Sequence, residues 1–200
     1  MKPNFNIKIK FKNEPLNDLP KDYADKHEIM SSQDRDIKIT SKLYNYDLTV
    51  PKSIFCPVYG SASQQILKHL WSLDLTGKKV LDCGCGSGIL GIGALHHGVE
   101  YVVFSDINKN VRIEHKILTN DNHKIYIGDG FDNDEYGEFF DVVIMAFPYK
   151  KSNDLSEKNP SVFISDKMKD RIYKDLERVL KPGGFYLIYD SGFFILQKPA

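Results

Sequence analysis

Phe5, Ile7, Ile9 and Phe11 alternate with Asn6, Lys8, Lys10 and Lys12. A period of two predicts a half-buried strand. Residues 13–35 are polar and Pro-punctuated and read as loop. Ile37 and Ile39, then Leu48 and Val50, suggest one or two more strands. From residue 61 the texture changes. Ile66, Leu67, Leu70, Trp71 and Leu73 recur at helical spacing, with Ser61 or Ser63 as N-cap. Short strands are predicted at 78–82 (KKVLD), 101–105 (YVVFS), 124–127 (KIYI), 141–146 (DVVIMA) and 185–189 (FYLIY). Ile89, Leu90, Ile92, Ala94 and Leu95 predict a buried helix, whereas 109–119 predict a short helix at best. Met168, Ile172, Leu176 and Val179 predict a long amphipathic helix, ended by Lys181-Pro182-Gly183-Gly184. Strands alternating with helices predict an α/β fold with a doubly wound, mostly parallel sheet covered on both faces. Residues 1–50 read as a β-rich extension to a domain over 51–200.

Composition narrows the partners. Lys plus Arg and Asp plus Glu are both 27, so the formal net charge is zero. Binding driven by phosphate neutralisation needs a basic excess, which disfavours nucleic acid. No run approaches 18 apolar residues, so no membrane span is expected, and the first residues lack the apolar region of a signal peptide. The three cysteines, Cys56, Cys83 and Cys85, make neither a disulfide framework nor a zinc site. The histidines at 27, 69, 96, 97, 115 and 123 show no metal-ligand spacing, and no metal is expected. His96 and His97 close a helix, where a cation suits the dipole. A reducing, cytoplasmic compartment is the expectation.

The richest stretch is Val80 to Gly91, VLDCGCGSGILG. A strand enters a turn with Gly84, Gly86 and Gly88, and a helix leaves it. Glycines allow positive φ and close approach of a ligand to the backbone. Gly86, Gly88 and Gly91 satisfy G-x-G-x-x-G, and Asp106 follows Gly86 by twenty residues, where a ribose-binding acid belongs. An NAD-dependent oxidoreductase is therefore one reading. Asp82 speaks for another. A carboxylate at the strand end would repel a pyrophosphate but suit a cationic amine, such as that of S-adenosylmethionine (SAM).

Residues 73–95 (LDLTGKKVLDCGCGSGILGIGAL) resemble the class I SAM-dependent methyltransferases, most closely the ribosomal-protein methyltransferase type. FSDIN (104–108), GDGF (128–131) and LKPGG (180–184) extend the resemblance over roughly 51–190. It implies SAM as cofactor, with S-adenosylhomocysteine (SAH) as product. The implied cofactor residues are Asp82, Gly84, Cys85, Gly86, Gly88, Asp106, Ile107, Asp129, Gly130 and Ala146. Among them, Asp106 takes the ribose hydroxyls, Ile107 packs beside the adenine and Asp129 bonds the adenine amine. Tyr59 to Ser61 would lie over the methionine end.

After the fourth strand of this core, Ala146-Phe147-Pro148-Tyr149 stands where many nitrogen methyltransferases carry Asn/Asp-Pro-Pro-Tyr. Ala146 has no side-chain acceptor, which weighs against methylation of base or amide nitrogens. Phe147, Pro148 and Tyr149 are the implied acceptor-site residues, and 150–161 a loop able to cover them. The sequence names no general base and no catalytic residue. The acceptor is a protein side chain or a small molecule. A non-catalytic SAM-fold subunit is an alternative. The family fold ends in a helix and an antiparallel hairpin, for which only 190–200 remain. A shortened C-terminal hairpin is thus expected, with the edge filled by an N-terminal strand or by a homodimer partner.

Overall fold

The computed structural model describes residues 7–10, 37–41, 46–51, 53–55, 57, 62–128, 131, 134–147, 150–151, 163–190 and 193–200. In chain order these form strands β1 (Ile7–Lys10), β2 (Ile37–Ser41) and β3 (Tyr46–Val50), then helix α1 (Ala62–Leu70). Strand β4 (Lys79–Cys83), helix α2 (Ile89–His96), β5 (Tyr101–Asp106), β6 (His123–Ile127) and β7 (Phe140–Ala146) follow. The chain continues through β8 (Lys150–Lys151), β9 (Phe163–Ile164), α3 (Asp166–Val179), β10 (Leu180–Tyr189) and β11 (Phe193–Gln197).

A seven-stranded sheet carries the order β1-β11-β10-β7-β4-β5-β6. β10, β7, β4, β5 and β6 run parallel. β11 is antiparallel to β10 and to β1, which returns β1 to the direction of the core. The central strands are near-continuous apolar runs, as a parallel sheet covered on both faces requires. Val80, Leu81, Val102, Val103, Phe104, Val142, Val143 and Ile144 are all fully buried. One face packs α1 and α2, with Ile66, Leu67, Leu70, Ile92 and Ala94. The other packs α3, with Ile172, Tyr173, Leu176 and Val179. The amphipathic stripe read from the sequence is this face, and Ser165 caps the helix by accepting from the Met168 N–H at 3.2 Å.

Two expectations need adjusting. First, no helix forms over 109–119. The segment is tied to the chain before α1 instead: Asn108 Oδ1 accepts from the Asn110 N–H, and the Nδ2 groups of Asn108 and Asn110 donate to the carbonyl and hydroxyl oxygens of Ser53. Val111 and Ile113 are buried nonetheless. Second, α1 begins at Ala62, so Ser63 lies inside its first turn rather than capping it. The long helix ends at Val179, just before Lys181 to Gly184 as expected, and those four residues belong to a strand. β10 starts at Leu180, pairing with Phe140, then shifts register before resuming at Phe185. Gly183, at φ +74°, donates to the Lys198 carbonyl, and the Lys198 N–H returns to the Gly184 carbonyl at 2.8 Å. The chain after β11 thus locks this bulge. Of the two ways to fill the sheet edge, the N-terminal strand takes it: β1 pairs residue for residue with β11, Ile7 opposite Gln197 and Lys10 opposite Phe194.

Candidate functional site

The chain runs outward from β4 through β5 to β6 and then returns to β7 on β4's other side. The switch point lies between β4 and β7, where open α/β sheets bind ligands beyond the strands' carboxyl ends. A cavity sits there, floored by Cys83 to Ser87 after β4, Ser105 to Asn108 after β5, Gly128 after β6 and Met145 to Phe147 after β7. Its near side is α1 and the segment before it, through Phe55, Pro57, Ala62 and Ser63. Its far side is β9 and α3, through Ile164, Met168 and Ile172.

The glycine turn is bent by left-handed residues, Gly84, Gly86 and Gly88 at φ +71°, +52° and +77°. A Cβ on Gly84 would meet nothing within 4 Å, so this residue is the open floor of the cradle. The turn is fastened to β5. The Gly84 and Cys85 N–H groups donate to the Ser105 carbonyl at 2.8 and 2.9 Å, and the Gly86 N–H to Asp106 Oδ2 at 2.8 Å. Asp106 Oδ1 accepts from the Asn108 N–H at 2.9 Å. Each oxygen keeps capacity for a further donor from the cavity. Burial raises the Asp106 carboxyl above its ordinary value, opposed by the amide bonds from Asn108, Gly86 and Ile107. Ile107 is 42% exposed beside it.

Asp82 is not on the cavity wall, against expectation. It is 0% exposed, one residue behind Cys83, and its Oδ2 accepts from the Gly91 N–H in the first turn of α2 at 2.8 Å. The pleat turns this residue towards α2 while Cys83 and Gly84 continue to the cavity. Oδ1 has no partner. Burial pushes this carboxyl up to about 7, with Asp106 adding to the shift and the Gly91 bond opposing it. Gly88 also departs from its expected place. A Cβ there would come within 2.7 Å of Ile113, so its lack of side chain admits the 111–113 segment rather than a ligand. His96 does not serve as a helix-end cation. Its ring meets His115 edge-on at 5.3 Å, and burial, then Lys116, lower its pKa, leaving it neutral at pH 7.

Gly84, Cys85, Gly86, Asp106, Ile107, Ala146 and Phe147 do come together around the cavity. Phe147, 4% exposed, is fixed from behind. Its N–H donates to the Tyr189 carbonyl, its ring lies 5.4 Å from Tyr173, and the Lys169 ammonium sits 4.9 Å above it, ion-paired to Asp190. Asp129, Gly130, Pro148, Tyr149, the residues 59–61 and most of the 150–161 loop lie outside the described residues. Sequence reasoning missed Phe55, Pro57, Ile164, Met168 and Ile172. The last two could have been found: a crossover helix runs back along the sheet, so its first turns lie at the strands' carboxyl ends.

The family model for ribosomal protein L11 methyltransferase (PrmA) matches residues 61–145. The ribosomal protein L11 methyltransferase of Vibrio vulnificus (strain CMCP6) is 50% identical over 50 residues, 25% of this chain and 17% of that protein. That of Histophilus somni (strain 2336) is 60% identical over 42 residues, 21% and 14% respectively. The chain thus spans less than a fifth of the curated relatives it matches. The crystal structure of SMU.776, described as a methyltransferase complexed with SAH, superposes with a TM-score of 0.54. It is 17% identical and covers 78% of this chain and 42% of that one. The chain therefore has the fold of the class I SAM-dependent methyltransferases, and its residues 61–145 are similar to the ribosomal protein L11 methyltransferase family.

Proposed function

We propose that this chain binds SAM across the switch point and transfers its methyl group to an acceptor at the β7–α3 end of the cavity, leaving SAH. The carrying observation is the division of the cavity wall. At the β5 side stand Ser87, Ser105, Asn108 and Asp106, the only charged side chain of the wall among the described residues. At the β7 side stand Met145, Phe147, Ile164, Met168 and Ile172. A nucleoside with a positive charge and no phosphate suits that wall. The residues also fit it in detail: Gly84 leaves open backbone, and Asp106 is a carboxyl held by backbone amides at the cavity wall, within reach of a diol.

In this reading Asp106 accepts from the ribose hydroxyls, and Gly84, Cys85 and Gly86 offer backbone to the cofactor. Ile107 flanks the adenine, with Asp129 and Gly130 beyond it, and Ala146 lies under the sulfur end. Phe147, Pro148 and Tyr149 wall the acceptor. SAM supplies an already activated methyl group with a neutral leaving group. What remains for the chain is alignment and exclusion of water, which the buried Met145, Phe147, Ile164 and Ile172 serve. Residues 1–50 act as an extension completing the domain over 51–200, in a cytoplasmic protein.

The likeness of 61–145 to ribosomal protein methyltransferases supports a protein side chain as the first acceptor to try, with small molecules next. Calorimetry with SAM and with NAD tests the cofactor: SAM binds and NAD does not, and a folded protein that ignores SAM ends this reading. Transfer of labelled methyl from SAM to a ribosomal protein fraction or to a metabolite fraction then tests the acceptor. Ala146, with no side-chain acceptor, favours a second reading, a SAM-binding subunit without turnover. Tight SAM binding with no label transferred to either fraction would select it.

A further inference from the structure

Asp82 is the only charged residue buried among the described residues. One oxygen accepts from the Gly91 N–H, and the other has no partner among the described residues. The carboxyl stands directly behind the cavity floor, since Cys83, Gly84 and Cys85, the next three residues, all line it. The groups packed around it are Asp106 from β5, Cys83 on its own strand and Cys85 from the turn. β7 presents Ile144 and Met145 to β4, opposite Asp82 and Cys83, and α2 presents Gly91. No cation among these elements offsets the charge.

Resting on the SAM reading above, we propose that Asp82 makes the site sense ligand charge: it holds a proton in the free protein and releases it when a sulfonium-bearing ligand binds. SAM binding is then linked to proton release, and SAH binding, with the same skeleton but no sulfonium, is not. The physical basis is that a dry environment and a neighbouring carboxylate both disfavour the ionised form. A positive charge in the adjoining cavity favours it, through a medium that screens weakly. With the carboxyl up at about 7, a modest field decides its state near neutral pH. Methyl transfer removes the positive charge from sulfur, so the carboxyl regains a proton from solvent and the product is held less tightly. Asp82 touches no reacting atom in this scheme. It discriminates cofactor from product.

The experiment is calorimetry of the full chain with SAM and, separately, SAH, at pH 7 in phosphate and in Tris, whose ionisation enthalpies differ. If SAM lowers the Asp82 pKa by one unit from 7, about 0.4 proton is released per SAM, and SAM affinity rises about fivefold from pH 6 to pH 8. SAH should give close to none of this. Asp82→Asn should abolish the excess proton release with SAM, while titration of the ligand's own amine is common to both proteins and cancels. Equal proton counts for SAM and SAH, or a variant that keeps the difference, would overturn the inference. Should the variant fail to fold, carbon-13 resonances of the aspartate carboxyls in the unaltered chain decide. One must titrate near 7 without ligand and fall with SAM but not SAH, and its absence overturns the proposal. A folded protein that binds neither ligand overturns the SAM reading, and this inference with it. SAM binding without proton release overturns this inference alone.

Discussion

Replacing Asp82 by Asn makes the protein's stability less sensitive to alkali, by an amount the structure fixes. The carboxyl sits at about 7 in the folded chain against 3.8 for a free aspartate. A folded pKa above the unfolded one means that the native state binds the proton more tightly. Asp82 therefore favours folding below pH 3.8, and that contribution is lost progressively as pH rises to 7. The linkage integral gives a loss of about 2 kcal/mol between pH 5 and pH 7. Asparagine carries no charge and still offers an oxygen to the Gly91 N–H. Its amide nitrogen inherits the place where Oδ1 finds no partner, which costs on the order of 1–3 kcal/mol at every pH. The offset between the two proteins is therefore uninformative, and the slope is the measurement. Urea midpoints of both proteins at pH 5, 6 and 7, converted with a common m-value, give it directly. The variant should gain on the unaltered chain by about 2 kcal/mol across that range. Parallel curves would mean that Asp82 is ionised and solvated in the folded state, and would refute the burial argument.

Two further substitutions probe the turn from its other sides. A Cβ at Gly91 would come within 2.8 Å of Val102 and closer still to Phe104, both fully buried, so Gly91→Ala must push α2 off β5. The overpacking costs about 1–3 kcal/mol by urea titration and moves the Gly91 N–H off Asp82, whereas an unchanged midpoint would show that the helix has room. Asp106→Asn keeps one oxygen for the Gly86 or Asn108 amide but loses the charge and half the accepting capacity. SAM affinity by calorimetry should fall at least about tenfold, the equivalent of about 1.4 kcal/mol, and an unchanged affinity would show that the ribose lies elsewhere.

What the sequence shows and hides follows from the range of the interactions involved. β4, β5 and β7 are legible because a strand covered on both faces must be apolar throughout, and residues 80–81, 102–104 and 142–145 are. The glycine turn is legible because its chemistry is local, five residues between a strand and a helix. The path of the 109–119 segment, read as a short helix at best, is hidden because Asn108 and Asn110 find partners at Ser53, more than fifty residues away. The bulge at Gly183 depends on Lys198, and the place of β1 on register with β11; neither is a property of the segment itself. The far wall of the cavity is hidden for the same reason. Met168 and Ile172 lie in the amphipathic stripe that elsewhere fills the core, and only the fold brings them to the strand ends.

The match to G-x-G-x-x-G is the instructive case. In dinucleotide sites the helix N-terminus and the turn's amides are free to meet a pyrophosphate. Here five of those donors are spent within the protein. Gly84 and Cys85 N–H go to Ser105, Gly86 N–H to Asp106 and Gly88 N–H to the Cys85 carbonyl. In the first turn of α2, Gly91 N–H goes to the carboxylate of Asp82. The position where a phosphate would meet the helix N-terminus is taken by the buried Asp82 carboxyl. A bound pyrophosphate would face Asp82 and Asp106 together, with no cationic side chain of the described wall to offset them. The same glycine spacing thus supports opposite ligands according to one residue, the acid at the end of the preceding strand. Asp82 does not contact the ligand to do this. It occupies the helix N-terminus from behind, where a pyrophosphate would otherwise dock.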